Sequence, residues 1–169
     1  MEIRKVDAFL PYYRNIRRRT LRVARCIPRD QFDWTYRAGK FTFADLLRHL
    51  GAIERYMFAE NVQGRPSRYP GHGPELAATP DEVLAFLDRM HEESLAIFAA
   101  LGDEQLHAKC VTPAGIPITT WKWLRAMVEH EIHHRGQIYL YLGILGIDTP
   151  PLYGLTSEEV FDNSEHESE

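Results

Sequence analysis

Cysteine is scarce: Cys26 and Cys110 are the only two in 169 residues, and they stand far apart. With no CxxC pair, neither a zinc ribbon nor a disulfide-stapled secreted scaffold is indicated. No stretch approaches the ~18 uninterrupted apolar residues of a membrane-spanning helix. The opening Met-Glu-Ile-Arg-Lys-Val-Asp has no apolar run behind its charges, so it does not read as a signal peptide, and the cytoplasm is the expected compartment. An excess of positive charge is also missing. Lys and Arg number 20 against 24 Asp and Glu, a formal charge of −4, which argues against a generic nucleic-acid binder.

The negative sign belongs to one end. Residues 155–169 hold six acids and no Lys or Arg, which leaves residues 1–154 with a formal charge of +2. The expectation is a folded body over 1–154 followed by an acidic, disordered tail over 155–169. A chain of this length fits one domain with one real core.

Apolar periodicity predicts four helices. In the first, Val6, Phe9, Tyr13, Ile16, Thr20, Ala24 and Ile27 recur every three or four positions, and Pro28 follows. The second starts at Thr42 with Asp45 as its capping partner, presents Leu46, His49, Ile53 and Tyr56 or Met57 inward, and dissolves at 63–66. The third has Thr79 as N-cap, Pro80 at the first helical position, Glu82 as the capping-box partner, and Gly102 as its C-terminal cap. The fourth runs from Thr120 to Leu145 and stops at Gly146, before Pro150-Pro151. The fold class is therefore all-α, a four-helix bundle with long connections at 28–41, 63–79 and 102–119. The last connection has room for a small β-hairpin, Lys109–Thr112 against Ile116–Ile118 around a turn at 113–115.

Histidine carries the chemistry. Three of the eight fall in Glu129-His130-Glu131-Ile132-His133-His134-Arg135-Gly136-Gln137. At about 100° per residue, with His130 as zero, His134 lies near +40°, Gln137 near −20°, and Tyr141 and Trp123 both near +20°. These share one face, with His133 at its edge. A pair of imidazoles one turn apart can reach one ion, and neutral imidazole suits zinc, nickel, copper and iron. His49, on the apolar stripe of the second helix, is the natural third ligand. The same residue also reads as a hydrogen-bonded core histidine, and the pair as coincidence. His91 lies on the third helix's stripe, while His72 and His166 read as solvated.

Two other patterns compete. His130-Glu131-Ile132-His133-His134 is literally His-Glu-x-x-His, the zinc metallopeptidase signature, with Glu131 as general base. It has no strong downstream ligand on a helix and only a thin strand signal before it to align a peptide. Glu131-x-x-His134 and Glu104-x-x-His107 match the half-motifs of a di-iron bundle, but the second lies beyond Gly102 and bridging glutamates are not evident on the stripes of the first or second helix.

The segment from His130 to Gln137, with the exit Pro151-Leu152-Tyr153-Gly154, resembles the DinB-like/YfiT-like superfamily of four-helix-bundle metalloproteins. Phe41 to His49 is similar to the helix that supplies that family's first ligand. The resemblance covers residues 5–154. It implies that His49, His130 and His134 bind one divalent transition metal per chain, zinc or nickel, and that the protein pairs as a homodimer. It also implies a thiol-dependent transferase or isomerase of the kind that uses bacillithiol or mycothiol. At such a site the ion activates either a small-molecule thiol that attacks an electrophilic substrate, or a water in a hydrolase. Gln137 is then the polar contact beside the metal, and Trp123 and Tyr141 are the substrate-pocket wall, unless they are core packing. A non-enzymatic metal- or ligand-binding module has the same residues.

One stripe remains outside this reading. Arg14, Arg18, Arg22 and Arg25 line the outer face of the first helix, as a solvated surface or as a site for an anion or acidic partner.

Overall fold

A computed structural model describes residues 2–164. His166 and the tail acids Glu165, Glu167 and Glu169 lie outside the described residues. Four long helical stretches dominate: α1 (Val6–Ala24), α2 (Phe43–Ile53) continued by a π-helical turn (Glu54–Phe58) and α3 (Ala59–Asn61), α4 (Pro80–Ala99), and α6 (Thr120–Ile144). Between α4 and α6 come α5 (Asp103–His107) and an antiparallel hairpin of β1 (Lys109–Val111) and β2 (Pro117–Thr119), with Cys110 opposite Ile118. In the bundle α1 and α2 each pack against both α4 and α6, so α1 lies diagonal to α2.

Capping fixes where the helices begin. Thr42 Oγ1 accepts from the Asp45 amide at 3.0 Å while Asp45 Oδ2 accepts from the Thr42 amide at 3.0 Å. The reciprocal pair recurs at Thr79 and Glu82, with Pro80 just inside. Gly146, at φ +69°, closes α6 in the left-handed conformation.

Four expectations are corrected. Gly102, at φ −79°, does not cap α4; it is the N-cap of α5, placing Glu104 and His107 on a short helix. The second strand of the hairpin is one residue later than expected. The inner face of the second helix breaks at the π-helical turn, which inserts one residue and rotates the rest of the helix about its axis. Glu54, Phe58, Ala59 and Glu60 are therefore buried, and Tyr56 and Met57 only half-buried. Finally, part of the segment read as a disordered tail is helical: α7 (Ser157–Asp162) is started by a Thr156–Glu159 capping box and favoured by acids in its first turn.

The core is two apolar clusters. One gathers Val23, Leu46, Leu50, Leu87 and Leu142; the other gathers Phe9, Tyr13, Phe58, Phe98, Leu124 and Met127. On every long helix a buried polar residue sits at the junction: Arg17 on α1, Glu54 on the π turn, His91 on α4 and Glu131 on α6, none more than 3% exposed. Arg14, Arg18, Arg22 and Arg25 are exposed, as their stripe predicts. No helix among the described residues is long and apolar enough to cross a membrane.

Candidate metal centre

α2 and α6 bring the three imidazoles together. His49 Nε2 stands 3.1 Å from His130 Nε2, and His134 Nε2 stands 3.0 Å from the same atom. All three ligand-capable atoms lie within 4.8 Å of one another. Two nitrogens, each ~2.0–2.1 Å from a shared ion, stand roughly 3–3.4 Å apart. The donor set thus fits one ion with little movement, and three neutral donors leave its remaining positions for a ligand.

Charge supports the fit. Burial, and then the nearness of the other imidazoles, holds His49 down to about 3 and His130 down to about 4. Burial also lowers His134, partly opposed by Gln137. Imidazoles that stay neutral keep the lone pair that a metal needs.

Partners fix the ring orientations. His49 Nδ1 shares a hydrogen bond with Tyr69 Oη at 2.7 Å and His134 Nδ1 donates to Gln137 Oε1 at 2.6 Å, each leaving Nε2 turned to the centre. Gln137 is therefore the residue that orients His134. Tyr69 also contacts His72 Nδ1 at 3.2 Å, and the His72 ring packs on Phe41 with centroids 4.3 Å apart. His72 is thus half-buried at the edge of the site, not solvated. Tyr69 and His72 come from a connection that carries no periodicity, so nothing in the sequence marked their approach.

Tyr141 is buried beside Trp34, Tyr36 and Phe43, with its hydroxyl donating to Phe41 O at 3.3 Å. It lines a cavity of about 510 Å³ that reaches His134 and Gln137. Trp123 does not line that cavity. Its ring packs on Phe58, centroids 4.6 Å apart, and Phe58 in turn lies 6.1 Å from His130. A larger cavity of about 610 Å³ lies across α6 against the C-terminal segment and contains none of the three histidines.

The rival motifs do not assemble. Glu131 points away from the imidazoles: its carboxylate accepts from Thr20 Oγ1 at 2.7 Å and from Arg17 Nη2 at 3.1 Å. Successive helical residues lie about 100° apart, so its neighbour His130 takes the other side. A buried, ion-paired Glu131 is not placed as a peptidase base. Glu104 and His107 are exposed on α5, and no carboxylate joins the histidine cluster among the described residues, so no di-iron site forms. His91 donates from Nδ1 to Glu54 Oε1 at 3.0 Å, away from the cluster. His133 is exposed, its ring 5.0 Å from that of His134.

Comparison with known proteins agrees with the architecture. The sequence model of the DinB superfamily matches residues 12–138. The uncharacterised protein YjoA of Bacillus subtilis is 26% identical over 151 residues, covering 88% of this chain and 93% of its own. The crystal structure of that DinB-like protein superposes with a TM-score of 0.68 at 22% identity, over 86% of this chain and 96% of the other. A DinB-like protein from Bacillus cereus superposes with a TM-score of 0.76 at 13% identity, over 88% and 97%. These two superpositions speak to the fold.

Proposed function

The chain belongs to the DinB superfamily, and from that premise we propose that it is a divalent-metal enzyme that activates a low-molecular-weight thiol for attack on an electrophile. His49, His130 and His134 would hold the ion, zinc or nickel. Such an ion lowers the pKa of a thiol or water bound at its remaining position.

The observation that carries the metal reading is the convergence of three imidazole nitrogens within 4.8 Å of one another, and the resemblance to thiol-dependent relatives favours a thiol over water. No Asp or Glu lines the cavity beside His134, so a bound thiol or water would lose its proton through the acidity that the ion confers. The nearest acid in sequence, Glu131, is engaged by Arg17 and Thr20. The chain's own part is positional. Tyr69 and Gln137 hold two rings with Nε2 toward the centre, while Phe41 and Tyr141 line the cavity beside them.

The test is turnover of a model aryl halide with a panel of thiols, using untagged protein with and without zinc or nickel. Activity that needs both metal and thiol supports the proposal. Hydrolysis without thiol turns the reading to a hydrolase. Stoichiometric metal without turnover turns it to a binding module, and no retained metal overturns the site.

We also propose a homodimer through the outer face of α6. Ile132, Gly136, Tyr139 and Gly143 recur there at spacings of four, three and four. Ile132 and Tyr139 are each 38% exposed, a Cβ added at either glycine meets nothing within 4 Å, and Ile132, Gly136 and Tyr139 also wall the cavity beside the C-terminal segment. Sedimentation of wild type against Tyr139→Glu, expected to be monomeric, tests it.

A further inference from the structure

The cavity beside His134 has a second end. Its floor is α6, through Gln137, Leu140 and Tyr141, and its roof is the loop before α2, through Tyr36, Lys40 and Phe41. A volume of about 510 Å³ is within the roughly 300–1,000 Å³ of small-molecule sites.

The charged groups around it are of one sign. Lys40 is exposed at the rim and has no ion-pair partner among the described residues, and Arg37, on the same turn, is also unpaired. The turn is closed by Lys40 N donating to Arg37 O at 3.1 Å, and residues 34–41 contain no acid. Gln137 spends its oxygen on His134, so its amide N–H groups remain to donate. The cavity therefore offers donors and positive charge. The rest is apolar or aromatic, with Leu140 63% and Tyr36 52% exposed at the rim.

We propose that this cavity binds an amphiphilic organic anion, a carboxylate carried on an apolar or aromatic body. The carboxylate pairs with Lys40 at the rim, and the N–H groups of Gln137, beside His134, meet the far end of the ligand. The body lies against Tyr36, Phe41 and Leu140, with its other end toward His134. This names the substrate class of the proposed enzyme and rests on that reading only for what happens at the histidine end. The carboxylate preference needs no ion.

The test uses the full chain, metal-free and cobalt-loaded, titrated with 3-phenylpropanoate, its methyl ester and propanoate, and followed by backbone amide resonances. The acid should shift the amides of Lys40, Gln137 and Tyr141 saturably. It should bind about fivefold more tightly than the ester, the size of one exposed charge pair, and more tightly than propanoate. Lys40→Gln should abolish the difference between acid and ester and leave the ester unchanged. Equal binding of acid and ester, an acid preference that survives Lys40→Gln, or no saturable shift at millimolar ligand overturns the proposal. Failure to retain cobalt overturns the metal reading alone, because the metal-free arm still decides the carboxylate preference.

Discussion

Arg17 closes on Glu131 at 3.1 Å in the middle of the bundle, so the glutamate of the His-Glu-x-x-His string serves the core and not the histidines beside it. The same guanidinium pairs with Glu54 at 2.5 Å, and Glu54 pairs with His91 at 3.0 Å. One buried network of hydrogen bonds and ion pairs thus ties α1, the π turn, α4 and α6 at a single level. On α6 it engages Glu131 on one side of the helix, while His130 faces His49 on the other. The ionic layer and the candidate metal centre therefore share one rotational setting of α6.

Arg17→Met tests the ionic layer. Removing one member of a buried ion pair leaves its partners charged and unpaired, at a cost of about 3–5 kcal/mol. Two buried carboxylates lose their cation here. The midpoint of chemical denaturation should fall accordingly. Glu131→Gln should also lower the midpoint, yet still bind metal, since it removes no imidazole.

Tyr69→Phe and Gln137→Ala should each weaken metal binding about 10-fold or more with little change in fold. Each removes the group that holds one Nδ1 and so fixes one Nε2 toward the centre. Competition with a chromophoric chelator measures the affinities. An unchanged affinity in both variants would show that packing alone orients the rings.

Much of the fold was legible because helices write their faces into sequence. His130 and His134 share a face by spacing alone, and Thr42, Thr79 and Gly146 announced helix ends by their chemistry. Arg17 was hidden among its neighbours in a run of arginines, although it stands four residues after buried Tyr13 and three before buried Thr20. The π turn broke the periodicity used to read the second helix. Tyr69 and His72 reach the site from a connection fixed by long-range bonds, which a local pattern does not contain.

Glu60 is the anchor of that connection. It is fully buried at the end of the second helix, and its carboxylate pairs with Arg55 at 2.6 Å, Arg68 at 2.8 Å and Arg65 at 3.0 Å. Arg68 N also donates to Tyr56 O at 2.7 Å, next to Tyr69. Glu60→Gln should speed amide hydrogen exchange across 65–72 while leaving α1 and α6 protected. Burial raises the Glu60 carboxyl pKa, but hydrogen bonds from Arg55 and Arg68 outweigh it and the net shift is downward. Its stabilisation is therefore complete above the unfolded value of about 4.3 and is lost as pH falls through the folded one. The variant should show a shallower acid limb of unfolding.

The histidines predict the opposite of an ordinary metal site. At pH 6, three imidazoles with a pKa of about 6.5 would together release roughly two protons on binding an ion. Here His49 is held down to about 3 and His130 to about 4, with His134 also lowered, chiefly by burial. Zinc binding should therefore release fewer than one proton, read by calorimetry in buffers of different ionisation enthalpy. The same shifts set the sign for stability. Between about 6.5 and about 3 the unfolded His49 carries a proton that the folded one refuses. Unfolding then takes up protons, and the metal-free protein loses stability as pH falls through that window. His49→Gln should flatten that slope, because the replacement cannot bind a proton in either state. A slope unchanged by the substitution would place the acid sensitivity on His130, His134 and the ion-paired Glu60 instead.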